Sequence, residues 1–149
     1  MAVRSLTEEE IDSVLGQERL VRVAFSDGEE LYVVTLGYVW HNRTLYGVSA
    51  EGRKSKLAAV RPKVAFQLDS TLRTGPFGWF SVAGEGTFEW VSDLSQARLV
   101  AASLHPHFAD APLWWQEEQS QRFAAGLLRY WRIIPSSLSG RHDEPPSAV

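Results

Sequence analysis

The sequence predicts a small, mostly antiparallel β-barrel decorated with short helices. Six segments either alternate apolar and polar residues or are apolar on both faces, as β-strands are. Turn residues separate most of these segments at hairpin spacing, and helical patterns occupy only the intervals between them. A chain of 149 residues with 44% hydrophobic residues and no cysteine is typical of one globular domain without disulfides.

The first part of the chain alternates helical and strand signals. Thr7 and Glu10 match a capping box, and the helical apolar spacing that follows predicts a first helix ending near Gly16. Strands are predicted over residues 20–25, 31–40 and 44–49, with turns at 26–29 and 41–43. The strand over 31–40 is apolar on both faces, so we expect it in the middle of a barrel or against a partner.

The stretch from residue 49 to residue 63 opposes the charge of the whole chain. It holds five basic residues and one acid, whereas the chain has a formal net charge of −3. A short helix is predicted over 53–60, and free N–H groups at a helix N-terminus attract anions. Arg53 and Lys54 in its first turn therefore indicate a phosphate site. The alternative is a solvated basic face that only keeps the helix soluble.

The second part of the chain continues the β pattern. The predicted elements are a strand over 64–69, a loop over 70–78, a strand over 79–91, a helix capped by Ser92 and broken at 105–107, a Trp-rich helical segment ending near Gly126, and a last strand over 127–134. Gly84 and Gly86 inside a strand indicate a bulge or the close approach of another group. Residues 1–140 are expected to form one domain, and residues 141–149 a disordered tail.

Composition and motifs limit the classes of partner and chemistry. The sequence pI near 5.8 argues against nucleic acid, and no apolar run is long enough to span a membrane, so we expect a cytoplasmic protein. No nucleophile or phosphate-loop motif is present. His105, His107 and Asp110 are close in sequence, but Pro106 disturbs their spacing, so no metal site is predicted.

Aromatic and apolar residues indicate how a ligand and a second subunit would be bound. The apolar surplus on the second and last strands predicts a homodimer, the commonest way to cover such surfaces. An anion site beside strands rich in Trp and Tyr suits a small molecule with one phosphate and one planar aromatic group. FMN fits that description, as do other phosphorylated cofactors.

Short motifs recur in a fixed order along residues 6–91. They occupy residues 6–11, 27–28, 32–38, 45–54, 57, 61–66 and 69. In order and spacing they resemble the pyridoxamine 5′-phosphate oxidase-like superfamily, and most of all its small flavin-binding proteins related to nitroimidazole-resistance reductases. Residues 132–140 resemble the closing strand of that family.

The resemblance implies a split β-barrel homodimer with FMN at two sites in the dimer interface. It places the flavin phosphate at Arg53 and Lys54, with Val48 and Ser49 just before them. It places the isoalloxazine ring along Val34, Thr35, Leu36 and Gly37, with further contacts at Trp79 and Ser81.

The implied activity is that of a flavin-dependent oxidoreductase. Hydride would pass from a reduced nicotinamide-type donor to a small aromatic or nitro-type acceptor, with Tyr38 and Trp40 lining the acceptor pocket. True pyridoxamine phosphate oxidases carry Arg and Lys where this chain has Tyr32 and Gly37, so vitamin B6 oxidation is not expected. The alternatives are a non-catalytic protein that binds or senses flavin, F420 or haem, and a barrel whose pocket is filled by tryptophan side chains.

Overall fold

The structure is a computed structural model that describes residues 3–146, and this range contains eight strands and five helices. The strands are β1 (Val3–Ser5), β2 (Leu20–Ser26), β3 (Leu31–Gly37), β4 (Val39–His41), β5 (Thr44–Ala50), β6 (Lys63–Asp69), β7 (Phe80–Trp90) and β8 (Leu128–Asp143). The helices are α1 (Glu8–Gln17), α2 (Arg53–Val60), α3 (Thr71–Thr74), α4 (Leu94–His107) and α5 (Leu113–Ala124).

All strands belong to one antiparallel sheet. Its order is β3-β2-β6-β7-β8-β5-β4, and β1 pairs with β8. β3 and β4 lie at opposite ends of this order although only Tyr38 separates them in sequence. Because neighbouring residues form both edges, the sheet curls back towards itself as a half-barrel. The predicted class, a mostly β split barrel with short helices, is confirmed.

The strand count differs from the predicted six because one long strand changes partner. Residues 31–37 pair with β2, whereas residues 39–41 pair with β5. Tyr38 makes the switch: its backbone N–H donates to Arg19 O (2.9 Å) and its hydroxyl donates to Leu15 O (2.7 Å). The pattern over 31–40 was apolar throughout, so it gave no sign of the change. The short β1 is the other additional strand.

Local signals placed the first helices correctly. Thr7 caps α1 through a complete capping box with Glu10, as predicted. The helix continues through Gly16 to Gln17 instead of ending at the glycine. α2 covers residues 53–60 as predicted, and its C-cap N–H, from Arg61, donates to Leu57 O.

Three boundaries in the second part of the chain differ from those predicted. The expected loop after β6 contains the single turn α3. Asp93, not Ser92, caps α4, since its carboxylate accepts from the N–H of Ser95. Pro106 does not break α4, because it lies in the final turn. The backbone N–H that proline lacks removes one hydrogen bond there, at the point where the helix ends anyway.

The last strand is twice as long as predicted. β8 has 16 residues and pairs with β7 along nearly its whole length, with β5 at its start and with β1 at its end. Its polar second half forms a strand because partners hold it, which a local apolar pattern cannot reveal. Residues 141–143, placed in a disordered tail, belong to β8, and residues 147–149 lie outside the described residues.

The glycines of β7 have the predicted effect. A β-bulge lies between Glu85 and Gly86 in the pairing of β7 with β8. A Cβ at Gly84 would collide with the carbonyl oxygen of Ser137 and would lie 2.8 Å from Phe66 Cζ. Glycine thus lets the two longest strands approach each other closely.

The core fills the concave side of the sheet. Its fully buried large side chains are Trp131, Tyr38, Phe25, Leu15, Leu45, Leu68, Ile133, Val21, Val23 and Val82. α1 contributes three buried residues and closes one side, and α2 packs against β2. None of the helices within residues 3–146 is long and apolar enough to cross a membrane.

Candidate functional site

The convex side of β2, β3, β6 and β7 is largely uncovered, and we call it the outer face. One of its rows runs from Val33 through Ala24 and Ala65 to Glu85. The next row runs through Thr35, Arg22, Gln67 and Ala83. Leu31 and Val33 are 79% and 64% exposed on this side. Apolar and small side chains thus lie side by side on an open surface, an arrangement that is also found at contact surfaces.

A polar cluster occupies one end of the outer face. Gln67 Nε2 donates to Asp69 Oδ2 (3.1 Å) and to Ser81 Oγ (3.1 Å), and the backbone N–H of Thr71 donates to Asp69 Oδ1 (3.0 Å). Desolvation opposes ionisation of Asp69, but hydrogen bonds from Thr71 and Gln67 outweigh it and hold its pKa below the usual value. The guanidinium of Arg22 is 3.6 Å from Asp69, too far for a full hydrogen bond.

The N-terminus of α2 lies beside the start of β3. Arg53 Nη2 pairs with Glu30 Oε2 (3.1 Å), and the guanidinium lies 5.1 Å from the centre of the Tyr32 ring. Both charged side chains are more than half exposed, so the pair is weak and Arg53 can turn to another anion. Within the described part of the chain, no side chain caps the first-turn N–H groups, and the Ser55 hydroxyl bonds to the backbone of Gly52.

Lys54 differs from its neighbour Arg53. It is only 8% exposed, and its ammonium donates to the carbonyl of Ala50 (2.6 Å). Burial lowers its pKa below the usual value. Lys54 therefore fixes the junction between β5 and α2. Its charge adds to the positive potential at the N-terminus of the helix.

A cleft of about 480 Å³ opens at the other end of β3. Its floor includes Gly37 and Arg22, and its walls come from the end of α1, from α3 and from the α4–α5 connection. Phe108 rests directly on Gly37, where a Cβ would lie 3.2 Å from the ring. The ring of Phe108 stacks on Trp115 with centroids 6.0 Å apart.

The predicted cofactor residues on β3 and β7 divide between the two faces of the sheet. Thr35, Gly37 and Ser81 lie on the outer face, where the polar cluster and the cleft are found. The side chains of Val34 and Leu36 point to the core with Val23 and Val21, their partners on β2. Only their backbone groups can reach a ligand beside β3.

The remaining predicted cofactor residues are spread over other parts of the barrel. Val48 and Ser49 are half-buried on β5, opposite Tyr130 and Arg129. Of these two residues, Ser49 lies nearer to the end of β5 and to the start of α2. Trp79 is half-buried just before β7, and its carbonyl accepts from the backbone N–H of Asp143 (2.8 Å), so this bond extends the pairing of β7 with β8.

The two residues predicted to line a substrate pocket have structural contacts instead. Tyr38 is fully buried in the core with its hydroxyl bonded to Leu15 O. Trp40 is half-buried, and its indole N–H donates to Asp12 Oδ1 (2.8 Å), tying β4 to α1. Neither residue lines the cleft.

Several residues at the site were not predicted. Arg22 and Gln67 each occupy a single outward position in an apolar strand, which is also the pattern of ordinary surface residues. Glu18, Arg73 and Trp115 come from three separate segments that only the fold brings together. No local signal in the sequence could have grouped them.

Solved structures resemble this chain over almost its full length. A FAD-binding protein from Mesorhizobium loti is 28% identical, with a TM-score of 0.76 over 95% of this chain and 99% of that one. A candidate 5-nitroimidazole antibiotic resistance protein from Bacteroides thetaiotaomicron is 17% identical, with a TM-score of 0.72 over 95% and 89%. The haem storage protein HutZ from Vibrio cholerae is 16% identical, with a TM-score of 0.64 over 88% and 92%.

The sequence itself matches a family model along most of its length. A search of curated proteins found no match. The model of the pyridoxamine 5′-phosphate oxidase family, by contrast, matches residues 7–142, from the cap of α1 to the last residue of β8 before Asp143. This confirms the resemblance found in the motifs, and the chain belongs to the pyridoxamine 5′-phosphate oxidase family.

Proposed function

We propose that the protein is a flavin-dependent oxidoreductase that works as a homodimer, with FMN lying along the free edge of β3 and on the adjoining outer face of each subunit. It would pass hydride from a reduced nicotinamide-type donor to a small aromatic or nitro-type acceptor. The observation that carries the proposal is the layout along β3. An anion-attracting helix terminus lies at one end of this strand, and an open face leads to a cleft at its other end.

The phosphate end fits a phosphorylated ligand. The uncapped N–H groups of α2 and the weakly held guanidinium of Arg53 are both available to an anion. Lys54 would contribute through its charge and not through a direct contact, because its ammonium is already bonded to Ala50 O. Arg53 therefore carries the specificity for phosphate that the sequence had assigned to both residues.

The outer face fits a planar ring. β3 is an edge strand, so the backbone groups on the side away from β2 are free to bond to the polar edge of a ring. From Tyr32 to Gly37 the strand extends roughly 16 Å at about 3.3 Å per residue, which suits an elongated ligand. Thr35, Gln67 and Ser81 offer polar atoms on the same side. A bound flavin would supply the redox chemistry, and the protein would supply position and electrostatics.

The similarity to a FAD-binding protein at 28% identity supports a flavin. Besides FMN, the deazaflavin F420 and haem are alternatives, and HutZ, which shares the fold, is a haem storage protein. A protein that only carried or sensed its cofactor would use the same residues. Binding and turnover therefore need separate measurements.

The first experiment measures binding of FMN and of riboflavin, which lacks the phosphate, by flavin fluorescence quenching. We expect Arg53→Gln to weaken FMN binding about tenfold and to leave riboflavin binding unchanged, since one charge-assisted contact is lost. Arg98→Gln, an exposed change on α4, is the control and should alter neither affinity. An unchanged FMN affinity in Arg53→Gln would overturn the phosphate assignment.

The second experiment tests catalysis and the choice of cofactor. The FMN-loaded protein should oxidise NADH or NADPH in the presence of a nitroaromatic acceptor, followed as loss of nicotinamide absorbance. Binding of FMN without turnover would favour a carrier or sensor. Failure to bind FMN or FAD, together with tight binding of F420 or haem, would reject the flavin.

A further inference from the structure

We infer that the cleft between β2, α3 and the α4–α5 connection binds a planar aromatic carboxylate. Its role as the acceptor pocket of the enzyme rests on the proposed function, whereas the binding itself does not. The cleft combines an aromatic wall with two arginines whose donors are mostly unused.

The aromatic wall comes from the segment between α4 and α5. Phe108 and Trp115 are stacked with an angle of 17° between their planes, and both are half-buried. Leu20, Leu72 and Pro112 continue this apolar surface at the rim. A flat ring placed here gains contact with aromatic and aliphatic surface that is otherwise open to water.

Arg73 is held at the cleft by a buried carboxylate. Glu18 is only 6% exposed, and both of its oxygens accept from Arg73 Nε, at 3.0 and 3.2 Å. Within residues 3–146 this pair uses no other nitrogen of Arg73, so both terminal amino groups remain as donors. The buried partner fixes the position of the guanidinium before any ligand arrives.

Arg22 is the second available cation. It lies on the outer face next to Gln67, and its nearest acid, Asp69, is 3.6 Å away. The oxygens of Asp69 already accept hydrogen bonds from Gln67 and Thr71. Arg22 thus makes only this long ion pair with Asp69, and among residues 3–146 none of its guanidinium donors makes a hydrogen bond. Its guanidinium can therefore meet a carboxylate in the two-pronged geometry that it favours.

The other charges of the cleft are already satisfied. Arg19 pairs with Asp110 and lies 5.9 Å from the centre of the Phe108 ring, which supports the aromatic wall. Glu18 is neutralised by Arg73, and Asp69 is hydrogen-bonded. The acids thus have their partners, and the unused groups are donors, which selects a carboxylate over an amine.

The test is calorimetric titration of the flavin-free protein with 4-nitrobenzoate and, separately, with its neutral analogue 4-nitrobenzamide. We expect the carboxylate to bind at least about tenfold more tightly than the amide. Arg22→Gln should remove most of that difference, because a charge-assisted contact is lost. Trp115→Leu should weaken both compounds. Arg122→Gln, on the exposed side of α5, is the matched control and should weaken neither.

Arg73 needs a paired design, because its loss alone leaves Glu18 buried without a partner. The double variant Glu18→Gln/Arg73→Gln removes both charges together and should bind 4-nitrobenzoate as weakly as Arg22→Gln does. Equal affinity for the two compounds in the unmodified protein, or carboxylate binding that survives both variants, would overturn the assignment.

The outcome can be separated from that of the proposed function. Carboxylate binding that depends on Arg22, in a protein that takes up no flavin, would support the cleft and reject the oxidoreductase. FMN binding that depends on Arg53, with no carboxylate binding in the cleft, would support the phosphate site of the proposed function and reject the cleft assignment.

Discussion

Tyr38 is the residue at which the chain leaves one edge of the sheet for the other. It is fully buried, and its hydroxyl and backbone N–H bond to the carbonyls of Leu15 and Arg19 at the end of α1. These two bonds join the helix to the point where β3 becomes β4. The side chain that the sequence had suggested for a pocket thus holds the curled sheet in place.

We expect Tyr38→Phe to lower the free energy of unfolding by about 1–2 kcal/mol, because the buried hydrogen bond from the Tyr38 hydroxyl to Leu15 O is lost. Urea denaturation at pH 8 measures this loss. Tyr130→Phe, which removes a half-buried hydroxyl elsewhere, is the control and should cost less. Equal losses in the two variants would mean that the Tyr38 bond does not stabilise the fold.

The same residue gives a pH dependence with a defined sign. Burial raises the pKa of Tyr38 well above the ordinary value of about 10, to which it returns on unfolding. Its contribution is therefore complete below about pH 10 and is lost as the pH rises towards the folded-state pKa. Between pH 9 and 11 the free energy of unfolding should fall further in the unmodified protein than in Tyr38→Phe. An equal fall in the two proteins would contradict this.

At the residue scale, the two-residue period of a strand predicted which neighbouring side chains share a face. Period-two alternation correctly places Thr35 and Gly37 on one face of β3 and Val34 and Leu36 on the other, because successive strand residues point to opposite sides. The apolar stretch around Tyr38 has no alternation from which its direction could be deduced. Basic residues in a row also look alike, so nothing distinguished the buried Lys54 from the exposed Arg53.

At the scale of the elements, two glycines have opposite roles. A Cβ at Gly47 on β5 would collide with the indole of Trp131 and would lie 2.6 Å from the carbonyl oxygen of Gly37. Trp131 is fully buried, and the other neighbour is backbone, so neither can move away easily. Gly16 lies inside α1 with nothing within 4 Å of the position a Cβ would take.

We therefore expect Gly47→Ala to destabilise the protein by about 1–3 kcal/mol through overpacking. Gly16→Ala should stabilise it by roughly 0.5–1 kcal/mol, because alanine favours the helix interior. Guanidinium denaturation of the two single variants checks both signs. A stabilising Gly47→Ala would show that β5 and Trp131 are less closely packed than the structure has them.

Element boundaries were predictable where the signal is local. The capping box of α1 and the basic helix α2 depend on neighbouring residues, and both were placed correctly. β8 shows the limit, because Ser137 and Ser139 join a strand only through pairing with β7. The change of partner between β3 and β4 also follows from distant strands, and the sequence of that segment does not contain it.

At the scale of the whole molecule, the outer face is a partly apolar surface that most of the chain leaves uncovered. It presents Leu31, Val33, Ala65 and Ala83 to solvent, while the concave side of the same strands is tightly filled. α4 and α5 reach this face only near Gly37, where they form the cleft. A second copy of the chain would cover the rest, and the proposed cofactor would then lie between the copies.

We expect the protein to sediment at twice the chain mass of 16.7 kDa and Val33→Glu to sediment as a monomer, because a charge would be buried without a partner. Leu94→Glu, an equally exposed apolar position at the start of α4, is the matched control and should remain dimeric. Val33→Glu should keep its far-UV circular dichroism, since its side chain lies outside the core.

Val33→Glu should also lose FMN affinity, because part of each cofactor site would come from the partner. A dimeric Val33→Glu would place the interface elsewhere, and a monomer with full FMN affinity would mean that one subunit forms the whole cofactor site.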